Sequence, residues 1–207
     1  MLIIRAFRRL GIDLALRHDA GTFGPARVML SVIIPTRDSE RALVHTLAAL
    51  VPGATAGVVR EVIVADGGSQ DETEQVADIA GCVFLSSGQS LGARLKAAAE
   101  RSRGEWLLFL RPSLVPGSAW IEETAAFVRG HGQAAVFSLP PAGLRGWIRH
   151  LLASLPGNDQ GLMIRKTLYA ELGGHRGDVV DPERDLLRRI GRSRLTVLRT
   201  TVNQSNI

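Results

Sequence analysis

The 207-residue sequence has one cysteine, two lysines and no long apolar run. Because Cys82 has no partner, an extracellular disulfide framework is excluded and a reducing compartment is indicated. No run approaches the roughly 20 apolar residues that a membrane-spanning helix needs. The arginines at positions 5, 8 and 9 interrupt the apolar stretch of a secretory signal. We therefore expect a cytoplasmic protein.

The sequence also lacks the aromatic and basic clusters that are typical of nucleic-acid surfaces. It carries 25 lysines and arginines against 20 acidic residues, a formal net charge of +5. The arginines are scattered singly or in pairs, without interleaved aromatic side chains on which bases would stack. We expect no nucleic-acid partner, and phosphorylated small molecules or anionic membrane surfaces remain as partners for the dispersed positive charge.

Apolar runs alternate with helical periodicity from about residue 28 onward. The predicted strands cover residues 28–34, 59–65, 82–85, 106–110 and 134–139. The predicted helices cover residues 40–50, 71–80, 91–101 and 119–129. Near-continuous apolar strands indicate a parallel sheet with helices on both faces. The sequence therefore predicts an α/β fold with a doubly wound, mostly parallel sheet in a single domain.

We divide the chain into an N-terminal appendage, 1–28, and a domain, 29–207. The domain has a first half, 29–140, and a second half, 141–207. From residue 143 onward the pattern changes to helices with only short strands. We expect this second half to lie over the carboxyl ends of the sheet, where ligands of open α/β sheets bind.

The loops that follow the first two predicted strands carry polar residues. Residues 35–40 contain no glycine, so the glycine-rich turns of dinucleotide-binding folds and P-loop NTPases are absent. The second loop begins Asp66-Gly67-Gly68-Ser69, which places a carboxylate at a strand end and lets a ligand approach the backbone closely. The alternative is a tight turn in which Ser69 or Asp71 caps the next helix. As an exposed loop residue, Asp66 is expected to contribute little to stability.

Three segments carry a resemblance to a known family. They read Ser31-Val-Ile-Ile-Pro-Thr36, Glu61-Val-Ile-Val-Ala-Asp-Gly-Gly-Ser69 and Arg103-Gly-Glu-Trp-Leu-Leu-Phe-Leu110. At this spacing they resemble the family-2 glycosyltransferases of GT-A fold. Downstream, Leu155-Pro-Gly-Asn-Asp-Gln-Gly161 and Leu186-Leu-Arg-Arg-Ile-Gly191 look like landmarks of a small bacterial branch of that family.

The resemblance implies that a nucleotide-diphosphate sugar binds in the sheet crevice. Pro35, Thr36 and Asp66 would surround the base and ribose, with Asp38 and Gly67 in the same two loops. The implied activity is transfer of the sugar to an unknown acceptor.

The metal motif of the family is missing. Where the family has Asp-x-Asp, this sequence has Arg111-Pro112-Ser113, and no aspartate occurs between Asp78 and Asp159. We therefore predict no tightly bound cofactor, and a bound Mg²⁺ or Mn²⁺ is doubtful because no nearby acid replaces the lost oxygen ligands.

Basic residues stand at several of the donor-site positions. Arg94 and Lys96 occupy a helix where the family carries amides. Together with Arg111 they are predicted to bind the nucleotide sugar, since guanidinium groups clamp phosphate oxygens with paired hydrogen bonds. The alternative is that the donor site has decayed and that Arg111 is a solvated loop residue.

Aligned on Arg188-Arg189, the family's catalytic aspartate falls at Glu183, so Glu183 is the predicted general base, with Asp181 beside it. Asp181-Pro182-Glu183 is also a typical helix start, with aspartate as N-cap and proline at the first helical position. Asp159 and Gln160 are predicted to bind the acceptor, although a loop aspartate commonly forms a turn.

Residues 144–155 have the periodicity of an amphipathic helix. It either packs on the domain's own sheet or touches the inner face of the membrane, where a lipid-linked acceptor would reside. The favoured function is a metal-independent, family-2-like glycosyltransferase; the alternative is a catalytically inactive relative that serves as a binding or scaffold protein. A sugar-phosphate nucleotidyltransferase is disfavoured because its glycine-rich first loop is absent.

Overall fold

The computed structural model describes residues 29–140 and 158–204. The strands are β1 Leu30–Thr36, β2 Val59–Asp66, β3 Val83–Ser86, β4 Trp106–Phe109, β5 Leu114–Pro116, β6 Ala134–Ser138, β7 Leu162–Arg165 and β8 Leu195–Gln204. The helices are α1 Glu40–Thr55, α2 Thr73–Ile79, α3 Leu91–Arg101, α4 Trp120–Arg129, α5 Lys166–Glu171 and α6 Pro182–Ile190. Short 3-10 turns occupy Asn158–Gln160 and Arg192–Arg194. The five strands and four helices predicted over residues 28–139 are confirmed, with shifts of a few residues at their ends.

The strands form one sheet in the order β3-β2-β1-β4-β7-β6-β8-β5. The pairs β3–β2, β2–β1, β1–β4 and β6–β8 are parallel. Strand β7 is antiparallel to both of its neighbours, and β5 is antiparallel to β8. The predicted α/β class with a mostly parallel sheet is confirmed.

The strands of the second half of the domain differ from the expectation, whereas Asp159 and Glu183 do lie at the carboxyl edge of the sheet, beside Arg111. Instead of lying over the sheet, β7 and β8 continue it, and β8 is ten residues long. No apolar run marks β8, because its inward positions Leu198, Thr200 and Val202 alternate with exposed polar residues. The inward Thr200 is compatible with burial because its hydroxyl and its backbone N–H both donate to Glu123 on α4. The appendage 1–28 and the amphipathic pattern 144–155 lie outside the described residues.

Apolar side chains cover both faces of the sheet. On one face, Val32 and Ile34 of β1 belong to a buried cluster with residues of α1 and α4. On the other, Ile33 belongs to a second cluster with residues of α3 and α6. This alternation explains why the strands read as continuous apolar runs. Cys82 packs against the first cluster, and its burial raises the pKa of the thiol to about 12.

The buried carboxylate of Glu61 on β2 contacts β1 and the segment before β4 at the amino edge of the sheet, where these three strands begin. One oxygen of Glu61 accepts hydrogen bonds from the Ser31 hydroxyl and from the backbone N–H of Arg103, both at 2.6 Å. The other accepts from Nε of Arg103 at 2.9 Å. Burial would raise the pKa of Glu61, but these contacts outweigh it and lower the pKa.

We expect Glu61→Gln to lower the free energy of unfolding by about 1–2 kcal/mol at pH 7, because an amide cannot accept at both positions. Arg103 is 64% exposed, so the ion pair itself contributes little to this difference. A carboxyl with a lowered pKa stabilises the fold above its unfolded pKa and loses that contribution as pH falls. Denaturant unfolding should therefore show the deficit shrinking as pH falls through and below 4.5. The exposed Glu105→Gln is the control, and an equal loss there would contradict the assignment.

Candidate active site

Hydrogen bonds join the two loops at the carboxyl ends of β1 and β2. The backbone N–H of Gln70 donates to the carboxylate of Asp38 at 2.7 Å, and the N–H of Asp38 donates to the Ser69 hydroxyl at 2.9 Å. Further along, the N–H of Glu40 donates to Asp71 at 3.0 Å. The predicted ligand residue Asp38 thus has a structural role, with its φ of 48° in the left-handed region. The two loops form a single wall of the crevice.

Asp66 lies at the centre of this wall and is 1% exposed. Its Oδ1 accepts from the hydroxyls of Thr36 at 2.9 Å and Ser69 at 2.5 Å. Its Oδ2 accepts from the N–H groups of Gly68 and Ser69 and from the hydroxyl of Ser86. Burial would raise the pKa of Asp66, but the hydrogen bonds lower it to about 2. The side chain therefore stabilises the turn, and the expectation that Asp66 is an exposed loop residue is wrong. Nucleotide contact by Asp66, Thr36 or the half-buried Pro35 stays a prediction.

Arg94 lies against the inner side of the same wall. Its Nη1 donates to the carbonyl oxygens of Thr36 at 3.1 Å and Ala65 at 2.7 Å, which lie at the carboxyl ends of β1 and β2. A Cβ on Gly67 would lie 2.9 Å from the guanidinium carbon, so the glycine is what lets this group approach the backbone. Burial lowers the pKa of Arg94, and the nearby Arg37 lowers it further.

Lys96 lies elsewhere on helix α3. It is exposed, follows the buried Leu95, and is about 200° around the helix from Arg94. The two predicted cations therefore do not face the same part of the crevice. Contact of Lys96 with a diphosphate stays a prediction.

Arg111, immediately beyond β4, lies between two carboxylates from the second half of the chain. Its Nε donates to Oε2 of Glu183 at 3.1 Å, and its Nη2 makes a shorter contact with the same oxygen. Its Nη1 lies 3.7 Å from Oδ1 of Asp159. The side chain of Glu183 is 13% exposed, against 39% for Arg111 and 57% for Asp159. Arg111, Glu183 and Asp159 therefore lie together, although they were predicted separately as phosphate ligand, base and acceptor-binding residue.

The register of the sheet explains this meeting. Phe109 of β4 pairs with Leu162 of the antiparallel β7. The turn that precedes β7 therefore lies beside the residues that follow β4, and Asp159 comes next to Arg111. Sequence reasoning missed the proximity because the antiparallel insertion of β7 leaves no local signal.

The first turn of α6 positions Glu183. Asp181 is the N-cap of this helix and accepts from the N–H of Arg184 at 2.9 Å, with Pro182 at the first helical position. The predicted helix start is confirmed. Burial raises the pKa of Glu183 by more than Arg111 lowers it, and the negative charges of Asp181 and Asp159 raise it further. A carboxylate with a raised pKa is a stronger base than an exposed one.

Gln160 is 2% exposed, and its side-chain amide donates to the carbonyl of Phe137 at 2.8 Å. This hydrogen bond attaches the turn, which also contains Asp159, to the end of β6. Acceptor binding by Asp159 and Gln160 stays a prediction.

The residues around Arg111 do not fit a divalent metal ion. Asp159 and Glu183 supply oxygens, yet the guanidinium lies between them, and an ion there would face its positive charge. The Asp-x-Asp position supplies no carboxylate, since it holds Arg111 and Ser113. Within residues 29–140 and 158–204, no group of three or more His, Cys, Asp or Glu side chains is arranged to hold a metal.

Comparison with known proteins identifies the family of this chain and the class of its fold. The sequence model of glycosyl transferase family 2 matches residues 31–179. This match spans more than half of the chain, so the protein belongs to glycosyl transferase family 2. None of the curated proteins compared with it matches.

Solved structures with similar folds include glucosyl-3-phosphoglycerate synthase from Mycobacterium tuberculosis. Its complex with Mn²⁺, UDP and glucosyl-3-phosphoglycerate has a TM-score of 0.64 at 19% identity, over 86% of this chain and 72% of that one. A complex of the same enzyme with Mn²⁺, UDP-glucose and phosphoglyceric acid has a TM-score of 0.66 at 18% identity, over the same shares. Residues 1–349 of S. aureus TarS give 0.62 at 19% identity, over 82% of this chain and 58% of that one. These likenesses confirm the GT-A fold.

We expect Asp66→Asn to lower the free energy of unfolding by about 2–3 kcal/mol, because the amide would turn a donor toward at least one of the donors around it. A carboxyl whose pKa is about 2 instead of 3.8 contributes about 2 kcal/mol above pH 4. That contribution is lost as pH falls from 3.8 towards 2. Thermal unfolding measures the change, with the exposed Asp78→Asn as control. Equal unfolding temperatures for the two variants would contradict the structural role of Asp66.

Proposed function

We propose that this protein transfers a sugar from a nucleotide-diphosphate sugar to an acceptor hydroxyl, with Arg111 in place of a metal ion. The contact of Arg111 with Glu183 is the observation that carries the proposal, because it brings a phosphate-binding cation and a buried base together. The family supports the reaction type. Complexes of a similar fold with UDP and UDP-glucose support a uridine nucleotide as the first donor to test.

Arg111 would act on the leaving group. When the bond from the sugar C1 to the phosphate oxygen breaks, its electron pair leaves with the nucleotide diphosphate. A metal ion contributes several kcal/mol by neutralising such charge. A guanidinium offers two parallel hydrogen bonds to phosphate oxygens instead, and Arg111 is exposed enough at 39% to reach a ligand.

Glu183 would act on the acceptor. As the acceptor oxygen forms its bond to C1, its proton passes to the carboxylate of Glu183. The raised pKa suits this role. The contact between Arg111 and Glu183 also couples donor binding to the strength of the base. A diphosphate that draws Arg111 away removes the contact that lowers the pKa of Glu183, so the base becomes stronger when the donor is bound.

The acceptor side of the proposal rests on Asp159, which is exposed beside Arg111. A lipid-linked acceptor at the inner face of a membrane is one candidate, and it depends on residues 144–155. Over the two described ranges, no helix has the length and apolar character to cross a bilayer.

One observation favours the alternative, a catalytically inactive binding or scaffold protein. Arg111 is the cation of a group that also contains Asp159, Asp181 and Glu183, all close enough to affect its pKa. A diphosphate would therefore enter a locally negative region and displace an existing ion pair. Nucleotide binding decides between the two functions.

We expect UDP to bind with equal affinity in excess EDTA and in Mn²⁺, as measured by isothermal titration of UDP, GDP and TDP. Arg111→Ala should weaken UDP binding at least tenfold and uridine binding little, because only the diphosphate carries the charge. The exposed Arg129→Ala on α4 is the matched control. If the unaltered protein binds no nucleoside diphosphate at millimolar concentration with or without metal, the transferase proposal fails and the scaffold alternative replaces it.

We expect Glu183→Gln to abolish sugar transfer while UDP still binds, because the amide keeps the shape of the side chain but accepts no proton. In the unaltered protein, kcat should rise with pH through a value above the ordinary glutamate pKa of 4.5 and then level off. Initial rates of transfer from the donor found by titration measure this profile. An unchanged rate in Glu183→Gln would remove Glu183 from the mechanism.

A further inference from the structure

Charge is unevenly distributed between the two edges of the sheet. The described residues contain eighteen lysines and arginines and eighteen acidic residues, so this part of the chain is formally neutral. The carboxyl edge holds an excess of acids, which on its loops and helix starts are Asp38, Glu40, Asp66, Asp71, Glu72, Asp159, Asp181 and Glu183. The cations at this edge are fewer than these acids: Arg37, Arg41, Arg94, Arg111, Arg176 and Arg184.

The amino edge carries a row of exposed arginines, which we call the basic edge: Arg60, Arg101, Arg103, Arg129, Arg165 and Arg194. Leu30 pairs with Val59 and with Trp106, and Trp106 pairs with Arg165. These pairings place Arg60 and Arg165 along one edge. The pairing of Ala134 with Ile164 and Leu195 extends the edge to Arg194. From β2 to β8 the row spans five strand spacings, about 24 Å.

Favourable placement at a helix C-terminus explains only some of the arginines in the basic edge. Arg101 and Arg129 lie in the last turns of α3 and α4, where cations favour the helix dipole. Arg60 and Arg165 lie on strands, and Arg194 lies in a 3-10 turn, so that argument does not apply to them. The acids near this edge are fewer: Glu61 is buried and bonded to Arg103, whereas Glu100 and Glu105 are exposed.

The chain reaches β1 through the same edge. Met29 lies here, since its carbonyl accepts from the N–H of Trp106 and its sulfur contacts Arg60. The 28 residues before it contain five arginines and two aspartates. This preceding segment therefore has a formal net charge of +3 and is joined to the described residues at Met29.

We propose that the basic edge binds the anionic headgroups of a lipid bilayer. Several arginines along one edge, with few acids among them, match a negative surface. The absence of exposed aromatic side chains from the row disfavours a nucleic acid. Bound in this way, the protein turns its acidic carboxyl edge away from the lipid. The crevice then lies about one strand length, roughly 23 Å, above the headgroups. This proposal does not depend on the proposed catalytic function.

Co-sedimentation of the full chain with vesicles tests the proposal. We expect binding to vesicles of phosphatidylcholine with 30% phosphatidylglycerol, and little binding to phosphatidylcholine alone or in about 0.5 M NaCl, where the Debye length falls below 5 Å. Combined Arg60→Gln, Arg165→Gln and Arg194→Gln should weaken binding at least tenfold. Lysine at the same three positions keeps the charge and should keep the binding.

The control removes three exposed arginines from the opposite edge, Arg41→Gln, Arg176→Gln and Arg184→Gln, and so changes the net charge equally. Binding weakened as much by the control as by the basic-edge variant would mean that only net charge matters, and would overturn the proposal. Unchanged binding in the basic-edge variant would assign vesicle binding to residues outside the basic edge, and would also overturn the proposal. Circular dichroism of every variant shows that the fold is kept.

Discussion

The ion pair between Arg111 and Glu183 joins the two halves of the chain at the carboxyl edge of the sheet. Arg111 follows β4 in the first half of the domain, and Glu183 lies in the first turn of α6 in the second half. A buried carboxylate without a counter-charge is unfavourable, so the guanidinium stabilises the ionised form of Glu183 and opposes the rise in pKa that burial causes. The same guanidinium fills the place where metal ligands would be needed. Arg111 therefore supplies the counter-charge of Glu183 at one of the two positions where the resemblance would place a metal-binding aspartate.

Most of the fold could be predicted from the sequence because both faces of the sheet are buried. Val32, Ile33 and Ile34 are all apolar since successive side chains of β1 enter different clusters. Such runs are visible without any knowledge of neighbours in space. Strand β8 could not be predicted in this way, because the inward Thr200 depends on Glu123, 77 residues away.

The members of the site could be predicted from the family motifs, but their arrangement could not. Asp66 was expected at the crevice and lies there, yet its five hydrogen bonds all go to groups of the protein, three in its own loop and one each on β1 and β3. Arg111 and Asp159 were assigned to different substrates, and only the antiparallel pairing of Phe109 with Leu162 brings them within 3.7 Å of each other. Roles that follow from residue type were accessible to sequence reasoning. Roles that follow from pairing between distant segments required the structure.

The charge distribution sets a condition that any function must satisfy. Acidic residues gather where the strands end, in a crevice that would have to receive a negatively charged diphosphate. In a metal-dependent relative the ion reverses the sign of that charge locally. In this protein Arg94 is bonded to two carbonyls and Arg111 is bonded to Glu183. Under the proposed function, donor binding would exchange these contacts of the two arginines for phosphate contacts, so affinity for the diphosphate measures whether the site can serve that function.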